Sequence, residues 1–222
     1  MEGRITTMTR IDAHQHFWTF DQSEYGWIDE SMTALRRDFG PADLDPVCEA
    51  AGIDRVVSVQ ARQSLKETRW LLELADRHSR IGAVVGWVPL IDANVERALA
   101  PLAEHPRLTG VRHVLHDETD DEYCLRDDFN RGIALLPRYE LAYDLLIFPR
   151  HLSQATRLVD RHPQVVFVID HLAKPRVQTG TFDREWADAI RESARRANVY
   201  CKISGLVTEV RDTSWSIDLL RP

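Results

Sequence analysis

Cysteine is scarce in this chain. Its 222 residues hold three, Cys48, Cys124 and Cys201, far apart and with no Cys-x-x-Cys pair. That excludes a disulfide framework and a thiolate zinc site, and it fits a reducing cytoplasm. Long apolar runs are missing too. None approaches the ~18 residues of a membrane span, and residues 1–9 lack the apolar stretch of a signal peptide; they read as a frayed extension. Positive charge is in deficit, with 28 Lys and Arg against 35 Asp and Glu and a net charge of -7. A partner such as nucleic acid or an anionic membrane calls for a basic face, so neither is expected. No Gly-rich phosphate loop follows the first apolar stretch, which argues against an open dinucleotide-binding sheet.

What is present suffices for a packed core. The chain is 44% hydrophobic and 28% charged, a globular composition, and no low-complexity segment divides residues 10–222. Apolar strand-like runs begin near residues 10, 55, 81, 108, 142, 165 and 199, with helical patterns between them. Ser64 to His78 is one such helix, and Asp127 to about Tyr139 another. The strands are apolar throughout, as expected of a parallel sheet covered by helices. This order predicts an α/β fold of the TIM (β/α)8 barrel type. Only about seven strands are accounted for, because nothing after Ile203 reads as an eighth, although Trp215 to Leu220 resembles the start of a helix. Residues 19 to 45 are irregular and rich in aromatics, a loop whose rings anchor it or close over a site.

In such a barrel, chemistry lies at the C-terminal ends of the strands. The first strand ends in Asp12-Ala13-His14-Gln15-His16. Alternation on a strand puts Asp12, His14 and His16 on one side. With nine histidines in the chain, about 0.4 chance His-x-His pairs are expected, so the pair alone decides nothing. It gains weight from the other strand ends: Arg112 after strand four, His151 after strand five, Asp170-His171 and then Lys174 after strand six. His14, His16 and His171 are the candidate catalytic groups, and the candidate ligands should the site hold a metal. Arg112, His151 and Lys174 are candidates for substrate binding, with Asp170 behind them as an orienting carboxylate. His78, His105 and His162 fall at helix ends as caps or surface groups, and His113 and His116 read as loop residues behind the site.

Four blocks carry a resemblance: Ile11 to Trp18, Gly110 to His113, Phe167 to Pro175 and Cys201 to Glu209. In this order they resemble the amidohydrolase-related proteins, specifically the lactonase branch with its sugar lactonases and a pyrone-dicarboxylate hydrolase. The resemblance implies a distorted TIM barrel and hydrolysis of a lactone, a small cyclic ester. It places family positions on His14, His16, Arg112 and His171, and less securely on His151. It implies one divalent, zinc-like metal ion or a metal-independent mechanism, since both occur in the branch. It also implies a general-base aspartate after an eighth strand, for which no residue here stands; the 222-residue chain is therefore expected to turn over poorly. Two alternatives remain open: a metal-dependent decarboxylase of the same superfamily, and a non-catalytic fragment or binding subunit.

Overall fold

A computed structural model of the chain describes residues 9–179, 183–210 and 216–220. The expectations for residues 1–8 and for Trp215 lie outside the described residues. Seven parallel strands form one sheet in sequence order: β1 Ile11–Gln15, β2 Arg55–Val59, β3 Ile81–Gly86, β4 Leu108–His113, β5 Ala142–Leu145, β6 Phe167–Ile169 and β7 Val199–Cys201. Between them run α1 Pro41–Ala51, α2 Leu65–Arg77, α3 Glu96–Ala103, α4 Asp127–Ile133, α5 Leu152–Arg161 and α6 Arg184–Ser193. The sheet is a curled half-barrel. Its curl brings Lys202, just after β7, within 3.4 Å of His14 on β1.

Register separates the two faces. Arg112 pairs with Asp144, and Asp144 with Val168. Residues of the same parity, Arg112, Asp144, Asp170 and Lys202, turn to the concave side. The opposite parity, Val111, Tyr143, Leu145, Phe167 and Ile169, is buried under the helices and makes the core that the apolar strands require. α2 starts where predicted because the Ser64 side chain accepts from Lys66 N, satisfying an otherwise unpaired amide of the first turn. α1 stops at Gly52, whose φ of 66° closes the helix. The helix expected over residues 127–139 is shorter: α4 ends at Ile133, and a 3-10 turn follows over Leu136–Tyr139. Pro137 has no amide to extend the α-helical ladder.

The aromatic loop after β1 folds on a small core of its own, Trp18, Tyr25 and Ile28 packed with Phe20, Leu35 and Phe39. Trp18 and Phe39 exchange backbone hydrogen bonds of 3.1 and 2.9 Å. Tyr25 Oη donates to the buried Glu67 carboxylate at 3.1 Å, whose other oxygen accepts from Ala61 N and Arg62 N. Most of the loop's rings are thus anchors, and half-exposed Trp27 lines a cavity.

Candidate active site

That cavity, about 310 Å³, opens at the C-terminal end of the sheet. Its polar lining is His16, Arg112, His116, Asp117, His171 and Lys174; Trp27, Ala61, Val114 and Leu146 supply apolar surface. Strand ends deliver most of these groups. Arg112 lies near the end of β4 and is buried. It donates to Asp170 Oδ2 at 2.9 Å and to the carbonyl of Gln60 at 2.5 Å. Its Nε–H has no partner among the described residues.

His16 and His14 form a short chain. His16 Nδ1 lies 2.8 Å from the carbonyl of Val59, which can only accept, so Nδ1 carries the proton and Nε2 is left as an acceptor. His14 Nε2 lies 3.1 Å from His16 Nε2 and 3.4 Å from Arg112 Nη1, which can only donate. His14 Nδ1 lies 3.4 Å from Lys202 Nζ and 3.3 Å from Asp170 Oδ1, a donor and an acceptor side by side. Burial lowers the affinity of both rings for a further proton, and for His16 the charge of Arg112 adds to it.

His171 is held by an unusual backbone. His171, Leu172, Ala173 and Lys174 have φ of 54°, 55°, 57° and 53°, a left-handed turn without a glycine. Such a conformation costs ~1–2 kcal/mol per residue, so it persists only where the surroundings impose it. Here Leu172 N donates to the carbonyl of Lys202 at 3.2 Å, and Trp186 Nε1 donates to the carbonyl of Leu172 at 2.6 Å. Pro175 disfavours the right-handed region for Lys174. The ring is fixed from the other side, with Nδ1 2.8 Å from Ser204 Oγ. Gly205, at φ 68°, brings its backbone so close that a Cβ there would fall 2.8 Å from the ring. Burial, reinforced by the charge on its neighbours, pulls the His171 pKa down to about 4. His116, buried near Lys174, is lowered to about 4 as well.

Beneath the cavity lie two carboxylates and two cations. Burial alone would raise the Asp170 carboxyl. The close approach of His14 and the charges of Arg112 and Lys202 outweigh it and hold Asp170 well below the usual carboxylate range. Asp144, buried beside it and hydrogen-bonded to Lys202, goes the other way. Burial and the Asp170 charge raise it to about 6.

The expected residues are thus largely brought together: His14, His16, Arg112, Asp170, His171 and Lys174 share one strand-end cluster. His151 does not join it. Its Nδ1 accepts from Phe148 N at 3.1 Å and its Nε2 donates to Asp121 at 2.8 Å, so both nitrogens serve the turn that starts α5. His105 and His162 do pair locally near helix ends, with Asp76 and Asn130. His113 packs behind the site on Tyr123. His116, read as a residue behind the site, lines the cavity. Asp144 went unnoticed inside an apolar strand, although a charge there is costly unless paired, and that cost was the available signal.

The donor set suits a divalent cation. Ligand atoms of His14, Asp170 and His171 lie within 4.8 Å of one another. Buried Asp170 Oδ1 lies 3.1 Å from Lys202 Nζ yet makes a well-formed hydrogen bond to no group among the described residues. Two imidazoles and a carboxylate with an under-satisfied oxygen fit zinc-like coordination. His16, expected among the ligands, stands outside this trio, and Asp170, expected behind it, stands within.

Comparison with known proteins agrees with this geometry. The family described as amidohydrolase matches residues 11–222. An L-fucono-1,5-lactonase of Burkholderia ambifaria is 40% identical over 200 residues, covering 90% of this chain and 69% of that protein. Its counterpart in Burkholderia multivorans is 41% identical over 207 residues, with the same coverage. The crystal structure of an amidohydrolase from Burkholderia multivorans with bound zinc superposes with a TM-score of 0.87 at 39% identity, covering 92% of this chain and 72% of that one.

Proposed function

Because the chain belongs to the amidohydrolase family, we propose that the cavity at its strand ends opens a sugar-type lactone, L-fucono-1,5-lactone or a close relative, by attack of water on the ester carbonyl. The observation that carries this reading is the convergence of Arg112, His16, His171 and Lys174 from three segments on one cavity of about 310 Å³. That volume admits a single small ring. Trp27 offers a flat apolar surface on the same wall, and the cations opposite suit hydroxyls and developing negative charge.

The chemistry follows from the protonation states. At neutral pH His171 is uncharged, since its pKa lies near 4. With Nδ1 donating to Ser204 Oγ, its Nε2 accepts the proton of the attacking water as oxygen bonds to the carbonyl carbon. Arg112, which lines the cavity, supplies positive charge near the carbonyl oxygen as negative charge collects there. It is held rigid for this by Asp170 and Gln60, so little reorganisation accompanies the reaction. Collapse breaks the bond to the ring oxygen, which takes back the proton held on His171 Nε2, and a hydroxy acid leaves. A zinc-like ion, when held by His14, Asp170 and His171, would supply Lewis-acid polarisation of the carbonyl and would occupy the His171 nitrogen that otherwise accepts the proton. Asp170 would otherwise act only as the anchor of Arg112. The three cysteines are unpaired, in keeping with a cytoplasmic location.

Proton release at constant pH, with L-fucono-1,5-lactone and other sugar 1,5-lactones as substrates, tests the reading. Ring opening well above the uncatalysed rate is expected. Release of carbon dioxide from aromatic acids, with lactones untouched, would replace it with a decarboxylase.

A further inference from the structure

Lys202 has no task in the lactonase reading. Its Nζ sits among three acceptors: Asp144 Oδ2, Asp170 Oδ1 at 3.1 Å and His14 Nδ1 at 3.4 Å. Two of these three atoms belong to residues that offer themselves to a metal. The Lys202 side chain is largely buried, and so are both carboxylates. Charge in the pocket already sums to zero, with Arg112 and Lys202 against Asp144 and Asp170. A divalent ion entering here would meet an ammonium on its ligands and would add two charges to a balanced pocket.

We propose that Lys202 is a built-in cation that competes with metal at His14 and Asp170, and so sets how tightly the site takes a divalent ion. Metal enters only when the ammonium withdraws from Asp170 Oδ1. The inference rests on the reading of His14, Asp170 and His171 as a cation site. Lys202 is a positioning residue in this account, acting on the ligands and not on substrate.

The test compares zinc binding by calorimetry in the wild-type protein and in the double variant Lys202→Met/Asp144→Asn. The pair of changes removes one positive and one negative charge together, so the pocket stays neutral and no carboxylate is stranded. Zinc should bind the double variant about 10–100-fold more tightly, the scale on which groups around a ligand shell tune affinity. Equal or weaker binding by the folded variant overturns the proposal and leaves the cation site standing. Zinc on neither protein overturns the cation site itself, and the proposal with it. Should the variant fail to fold, crystals of the wild-type protein soaked in zinc decide. Zinc on His14 and Asp170 with Nζ moved away supports the competition; zinc there with Nζ still on Asp170 refutes it, and no zinc at all removes the site.

Discussion

Removal of the Arg112 guanidinium tests whether the site is a stability element as well as a catalytic one. Arg112 is 4% exposed and Asp170 fully buried, and the two are 2.9 Å apart. At an effective dielectric of about 20, Coulomb attraction at this distance is about 6 kcal/mol, much of it offset by the cost of burying both charges. Breaking such a pair from one side costs about 3–5 kcal/mol, because the remaining charge is left without its partner. Lys202 stays 3.1 Å from the other oxygen of Asp170, so Arg112→Met should fall near the lower figure, about 3 kcal/mol. Against a total stability of about 5–15 kcal/mol, that is a visible fraction. Asp170→Asn should cost a similar amount by stranding Arg112 against the Gln60 carbonyl alone. The double variant removes both charges, so its loss should be about 2 kcal/mol smaller than the sum of the singles. Urea unfolding, with midpoint and slope measured for all four proteins, supplies the cycle. Losses that add to within about 0.5 kcal/mol would show that the two residues are not coupled, and the view of Arg112 as anchored by Asp170 would fail.

Two further outcomes are expected. Gly205→Ala should lower kcat at least tenfold with little change in KM, because its Cβ would fall on the His171 ring and its backbone must keep a φ of 68°; wild-type kinetics in this variant would mean that the ring position is not critical. His116 gives a pH dependence of stability. Its folded pKa of about 4 lies below the ordinary 6.5, so below pH 6.5 the unfolded chain takes up a proton that the folded chain refuses. Stability is therefore lost as pH falls from about 6.5 to about 4, by about 2 kcal/mol at pH 5. Unfolding of His116→Gln should show that much less acid sensitivity, and an unchanged profile would assign the effect elsewhere.

Much of this arrangement was legible in the sequence. Apolar runs at β/α spacing disclosed all seven strands, because a sheet covered by helices leaves no polar register to confuse the pattern. Once strands are placed, the barrel rule alone gathers His14, His16, Arg112, Asp170, His171 and Lys174. What stayed hidden depends on distance across the barrel. Asp144 looks like an interruption of an apolar strand until Lys202 arrives from β7. Lys202 is only a polar strand end until the curl of the sheet sets it against His14. His151 follows its strand like the others, but a turn consumes both its nitrogens. The left-handed turn from His171 to Lys174 contains no glycine to announce it, and only Pro175 hints at the last of its residues.

The central claim is that the His171 ring takes the proton of the water that opens the lactone. The most direct measurement is kcat/KM for a sugar 1,5-lactone in wild-type protein and in His171→Asn, with unfolding curves to show that both are folded. A loss of about 10²–10⁴-fold is expected, the usual contribution of a general base. A folded variant within threefold of wild type would contradict the claim.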